Sequence, residues 1–332
     1  MEISKRKFEV AEVHSLTGLA VYDILLRQGN CNVLPLTNDS NGRRGVLVYA
    51  AVVMAGVTAV SLLLHSMNLS FDDRGAAVFI MAAMWTPALA RFVATHTFDS
   101  GWRSPFPLSV WGKSRLSVVL IPLATVGAIY LGAYALASLA GVPREAPVWS
   151  SRAVINVAVN LPLLGVIDVI GGLGEELGWR GYLQPRLDEM QVPGSLLWVI
   201  TLETLFHVPL ILLAGYVAGG SWATSIALLF GLGLGATPVW TWATYRWHTI
   251  WIAAWFHAFH NAVSQVLVPK ALGAGNERIL GESGIFPVAL YLVVAATALA
   301  TTRVRGKGWR EFAQDALIQA RRNADKQRIP NR

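Results

Sequence analysis

The feature that most constrains this chain is a series of long apolar segments, each close to the roughly 20 residues that cross a hydrocarbon core. We place them at residues 45–66, 75–96, 116–141, 155–181, 194–217, 222–245, 248–268 and 285–302. Only 14% of the residues are charged, whereas soluble domains carry about 25%. In lipid only helices and closed barrels satisfy their backbone hydrogen bonds, and these segments are too long for barrel strands. We therefore expect an all-α fold, a polytopic membrane helix bundle with about eight transmembrane helices.

Polar segments flank this apolar part and predict three regions. Residues 1–43 are expected to form a polar cytoplasmic N-terminal tail, residues 44–302 the membrane domain, and residues 303–332 a basic cytoplasmic C-terminal tail. Lys and Arg concentrate in the tails and in alternate loops, which places both termini in the cytoplasm. The net charge of +7 is then explained by topology and by contact with membrane lipid, so no nucleic-acid partner is expected.

Ionisable side chains are concentrated in the fourth, fifth and seventh apolar segments. Such groups are costly inside a membrane, and they mark functional sites more often than structural ones. The residues are Asp168, Glu175, Glu176, Arg180, Glu203, His207, His257 and His260. Their clustering predicts a polar site within the bundle.

In the fourth segment, two adjacent carboxylates precede an arginine. Glu176 and Arg180 are four residues apart, so they share a helix face and can form an ion pair. Glu175 lies about 100° further round the helix and can face a cavity. The alternative is a plain charge cluster at the membrane interface.

The histidines of the fifth and seventh segments can meet at similar depth. His207 lies about 18–20 Å and His257 about 14 Å from the same predicted membrane surface. Glu203 precedes His207 by four residues, and Asn261 follows His257 by four, so each pair shares a helix face. Taken alone, each histidine could instead be a satisfied residue of the bundle interior, and His260 is assigned to helix packing.

Together these residues resemble the three motifs of the CPBP intramembrane proteases, a family that includes the type II CAAX prenyl proteases and bacterial Abi proteins. The motifs are Glu175-Glu176-x-x-x-Arg180, then His207, then His257-Ala258-x-x-Asn261. The resemblance covers about residues 150–270, the predicted protease core. One position departs from the pattern: Glu203 stands where the family usually has Phe. Its carboxylate could orient the His207 ring, raise its pKa or bind a metal.

The resemblance implies an intramembrane endopeptidase that acts on a membrane-associated peptide or protein. Glu175, His207, His257 and Asn261 would be catalytic, with Glu175 as general base, His207 on the water, and His257 with Asn261 on the oxyanion. Glu176, Arg180 and Glu203 would support them. Both a metal-independent mechanism and a Zn²⁺ bound by His207, His257 and Glu175 are compatible with these residue types. The substrate could be a prenylated or a bacteriocin-like peptide.

The competing hypothesis is a non-catalytic membrane protein, or a proton- or cation-coupled transporter that uses the same buried Glu/His cluster. Other intramembrane proteases are poorly supported. His-Glu-x-x-His is absent. Gly281-Glu282-Ser283-Gly284 is similar to a rhomboid motif, but no histidine follows it, so it is interpreted as a loop turn.

Overall fold

The structure is a computed structural model that describes residues 39–109, 115–145, 151–216, 221–303 and 308–328, with the backbone alone for residues 151–164. These ranges belong to one compact unit, residues 36–332. Most of the predicted N-terminal tail lies outside the described residues. Within them, extended pairing is limited to one bridge between Arg144 and Gly275.

Twelve α-helices follow one another along the described ranges. They are α1 (Ser40–Ser66), α2 (Ala77–Thr97), α3 (Arg115–Leu139), α4 (Ser151–Gly178), α5 (Gln184–Glu189), α6 (Ser195–Ala214), α7 (Trp222–Trp247), α8 (Trp251–Asn261), α9 (Val268–Leu272), α10 (Glu277–Leu280), α11 (Ile285–Arg303) and α12 (Trp309–Arg328). A short 3₁₀ helix, Arg74–Ala76, precedes α2. Two π-helical segments, Trp179–Leu183 and Ala262–Leu267, continue α4 and α8.

The all-α, polytopic bundle predicted from the sequence is confirmed. Among the described residues, six helical stretches are long and apolar enough to cross a membrane: Ser40–Ser66, Arg74–Thr97, Arg115–Leu139, Ser195–Ala214, Trp222–Trp247 and Glu277–Arg303. The fourth and seventh predicted segments coincide with α4 and with α8 and its π-helical continuation. The count of eight spans and the cytoplasmic placement of the termini stay predictions.

The first helix begins earlier than its apolar run. The Asp39 side chain accepts a hydrogen bond from the Gly42 amide at 2.8 Å and so caps α1. This bond, together with the nearby Arg186 guanidinium, holds the pKa of Asp39 below its usual range. Polar residues of the first turn are invisible to a hydropathy pattern, which is why the sequence placed the start near residue 45.

Helix α4 packs closely against α2 and α8, and glycines permit the close approach. A Cβ on Gly172 would lie 2.9 Å from the Cβ of His257, and one on Gly178 would overlap Pro87. Because any larger side chain would push these helices apart, the glycines bring α4 and α8 within side-chain contact. That contact positions the polar residues of both helices.

Alternating helix directions give the bundle two ends. One end, here called the α10 end, contains residues 67–73, 140–145 and 273–284. At this end the Phe71 amide donates a hydrogen bond to the Ala214 carbonyl at 2.7 Å. Residues 98–109, 190–194 and 248–250 lie at the opposite end, the α12 end. There Arg186 forms ion pairs with Asp39 and Asp99.

Helix α12 is docked on the bundle rather than being a free tail. Its buried face packs Leu317, which is fully buried, and three alanines against Phe106, Tyr245 and Ile250. One helical turn after Leu317, Arg321 forms an ion pair with Glu189 at the end of α5. The region predicted as a basic C-terminal tail, residues 303–332, therefore contains a helix with its own small apolar core.

We expect Leu317→Ala to release α12 from the bundle, because truncating a fully buried leucine costs about 2–5 kcal/mol. Limited proteolysis in detergent should cut this helix faster in the variant than in the wild type. Arg322→Ala, at an exposed position of the same helix, is the control and should leave the cleavage rate unchanged. Equal rates for Leu317→Ala and the wild type would contradict the docked arrangement.

Candidate active site

The four residues predicted to be catalytic line one cavity inside the bundle. Glu175 comes from α4, His207 from α6, and His257 and Asn261 from α8. The cavity has a volume of about 80 Å³. One water needs roughly 10–15 Å³ of such space, so several waters fit beside these polar groups. Four groups from three helices therefore share one cavity with room for several waters.

Glu175 is buried, and its carboxylate is oriented by two neighbours. The Trp179 indole donates to Oε2 at 3.4 Å, and Nε2 of His257 lies 3.8 Å from Oε1. Only 4% of the residue is exposed. A carboxylate with one weak donor and one histidine contact keeps lone pairs available to a water in the cavity.

Behind Glu175 lies a buried charge cluster that joins three helices. Arg180 donates to Glu176 at 3.0 Å and also binds the Glu203 carboxylate. Thr237 on α7 donates to Glu203 at 2.5 Å. The guanidinium lies over the Trp240 ring, 5.4 Å from its centroid. The expected Glu176–Arg180 pair is present, and Glu203 extends it from α4 to α6 and α7.

The side chain of Glu203 points away from His207, which differs from what the sequence suggested. Nδ1 of His207 lies 2.7 Å from the main-chain carbonyl of Glu203, while the carboxylate binds Arg180 and Thr237. A carbonyl only accepts hydrogen bonds, so Nδ1 carries a proton, which leaves Nε2 as the acceptor of the neutral ring. The helix backbone, and not the acid, orients this imidazole.

His257 is held by the second carboxylate of the first motif. Its Nδ1 lies 3.2 Å from Oε1 of Glu176, and its ring packs against Trp240 at a centroid distance of 5.4 Å. The same Glu176 oxygen also accepts from Arg180. Glu176 therefore couples the arginine to the histidine and leaves Nε2 of His257 directed toward Glu175.

Both π-helical segments begin next to motif residues. Trp179–Leu183 includes Arg180, and Ala262–Leu267 starts directly after Asn261. Single π-helical turns inside α-helices are rare and often occur at functional sites. Arg91 on α2 donates to the Leu177 carbonyl at 3.3 Å, just before the first of them. Side-chain spacing on a regular helix does not predict these turns.

Two further residues of the cavity wall were not identified from the sequence as functional. His260 is 2% exposed, and its Nε2 lies 3.3 Å from Oε1 of Glu282. Both side chains line the cavity. Glu282 belongs to the turn between α10 and α11 and reaches the site only through the tertiary fold, so no local spacing connects it with the motifs.

The geometry does not supply a metal centre. Within the described ranges, no group of three or more His, Cys, Asp or Glu side chains is arranged to hold a metal ion. The Zn²⁺ ligand set considered from the sequence, His207, His257 and Glu175, is not gathered into such a group, and zinc binding by it stays a prediction.

The comparison with protein families agrees with the motifs. Residues 157–263, about a third of the chain, match the family described as type II CAAX prenyl endopeptidase Rce1-like. The matched region contains Glu175, His207, His257 and Asn261. This region is similar to the type II CAAX prenyl endopeptidases.

This similarity supports CAAX-protease-like intramembrane endopeptidase activity, a lipid environment and a peptide or protein substrate. The six apolar helices support an integral membrane protein. None of the curated proteins matches the chain.

Proposed function

We propose that this protein hydrolyses a peptide bond of a membrane-associated peptide or protein, using a water activated by Glu175 and His207. The observation that carries the proposal is that Glu175, His207, His257 and Asn261 all line one cavity with room for water. A hydrolase needs a general base and oxyanion donors around one reacting atom, and these residue types supply both.

In the first step, Glu175 accepts a proton from the water while the water oxygen bonds to the carbonyl carbon of the substrate. The second hydrogen stays on the water oxygen and donates a hydrogen bond to Nε2 of His207, whose Nδ1 is directed to the Glu203 carbonyl. A water held by two acceptors has its lone pair directed at the carbonyl carbon. Holding nucleophile and carbonyl in this way makes the attack effectively intramolecular.

In the second step, the tetrahedral intermediate collapses. His257, with a proton on both ring nitrogens, donates from Nε2 to the oxyanion while Nδ1 stays on Glu176, and the Asn261 side-chain amide donates the second hydrogen bond. When the C–N bond breaks, Glu175 returns its proton to the leaving amine. The base of the first step is thus the acid of the second, and the carboxylate is regenerated.

We expect activity to survive exhaustive chelation, because none of these steps uses a metal ion. Peptide cleavage should be measured after dialysis against EDTA, and again after zinc is added back. Thermolysin is the control for complete chelation, since its catalytic zinc bears the attacking water. Loss of activity that zinc restores would contradict the metal-independent mechanism.

The proposed function is tested by comparing membrane proteomes. Cells that express the wild type should contain at least one membrane-associated protein with a new terminus. Cells that express equal amounts of Glu175→Gln should lack that terminus. Identical sets of termini in the two samples would overturn the proposal. The mapped terminus also identifies the sequence on each side of the cleaved bond.

A further inference from the structure

The candidate active site contains a second acid–histidine pair, Glu282 and His260, which the three motifs do not include. Oε1 of Glu282 lies 3.3 Å from Nε2 of His260. Glu282 also lines a neighbouring cavity of about 320 Å³ at the α10 end. Glu282 therefore lines both cavities, and His260 lines the smaller one.

His260 is fixed on its other side by two tyrosines. Its Nδ1 lies 3.0 Å from the Tyr291 hydroxyl of α11 and 3.4 Å from the Tyr130 hydroxyl of α3. With Glu282 on Nε2, both ring nitrogens have polar neighbours in a residue that is 2% exposed. Such a network holds a side chain in one rotamer and fixes the helix that carries it.

The second carboxylate oxygen of Glu282 reaches beyond Asn261 along the chain. It accepts a hydrogen bond from Gln265 at 2.9 Å, and Gln265 belongs to the π-helical segment Ala262–Leu267. The Glu282 carbonyl in turn accepts from Tyr130 at 2.7 Å, which attaches the turn to α3. The Glu282 carboxylate thus contacts His260, which precedes Asn261, and Gln265, which lies one turn after it.

We propose that Glu282, with His260, is a positioning residue that holds Asn261 in place as an oxyanion donor. The inference rests on the proposed function. A π-helical turn replaces the usual i→i+4 backbone hydrogen bonds with i→i+5 bonds and is rare, so side-chain contacts on both sides of its first residue help to fix where it begins. Glu282 supplies such contacts on both sides of Asn261. A misplacement of about 1 Å in a catalytic group costs about 100-fold in rate.

The test measures kcat and KM separately for Glu282→Gln and Glu282→Ala. The probe is a quenched fluorescent peptide that spans the cleavage site mapped by the proteomic comparison, added to full-length protein in detergent. We expect kcat to fall about 10-fold for Gln and about 100-fold for Ala, with KM nearly unchanged. Glu277→Gln, an exposed acid in the same part of the chain, is the matched control and should keep both constants.

A double-mutant cycle separates positioning from a general structural role. If Glu282 acts through Asn261, then Glu282→Gln should have little further effect in an Asn261→Ala background. Full additivity of the two changes, or wild-type kcat for both Glu282 variants, would overturn this inference while activity still depends on Glu175. Activity independent of Glu175 would overturn the proposed function instead.

Discussion

Glu175→Gln is expected to lower kcat for peptide hydrolysis by about 10²- to 10⁴-fold, the usual contribution of a general base. The amide has almost the same shape as the carboxylate, and its oxygen can still accept from the Trp179 indole. It cannot take a proton from water. The change therefore removes the proposed chemistry and leaves the packing of this buried position intact. Initial rates with the mapped peptide give the ratio directly.

The control for this prediction must separate catalysis from folding. Glu277→Gln makes the same chemical change at an exposed acid and should retain wild-type kcat. Thermal unfolding in detergent should give the same midpoint for the wild type and for both variants. If Glu175→Gln has the wild-type midpoint and full peptidase activity, Glu175 is not the base.

The motif geometry could be predicted because it depends on the regular period of the α-helix. Glu176 with Arg180, and His257 with Asn261, are four residues apart, so their faces follow from the sequence alone. The Arg180–Glu176 contact at 3.0 Å agrees with that expectation. The helical bundle was equally predictable, because apolar segments of about 20 residues indicate α-helices that cross a membrane.

Other parts of the site depend on tertiary contacts that the sequence does not encode locally. Glu203 shares a helix face with His207, yet its carboxylate binds Arg180 of α4 and Thr237 of α7. Glu282 reaches His260 from a turn that a short-motif analysis interprets only as a loop. In both cases a long side chain has partners on several helices, and only the packed bundle decides between them.

Arg180→Met is expected to lower the free energy of unfolding by about 3–5 kcal/mol, the usual cost of removing one partner from a buried ion pair. Arg180 is 1% exposed, and it is the shared partner of Glu176 and Glu203. Its loss leaves two carboxylates inside the bundle without a counter-charge. Unfolding in mixed detergent, followed by tryptophan fluorescence, measures the change. Arg74→Met, which removes an exposed arginine, should be near neutral.

Replacing Glu203 tests why Arg180→Met lowers the free energy of unfolding. In the double variant Arg180→Met/Glu203→Phe, one of the two uncompensated acids is gone, and the aromatic residue usual at this position of the family takes its place. We therefore expect the double variant to be more stable than Arg180→Met alone, because the two effects share one ion pair and are not additive. A double variant less stable than Arg180→Met would contradict this account. It would show that Glu203 stabilises the bundle through Thr237 and not mainly through the arginine.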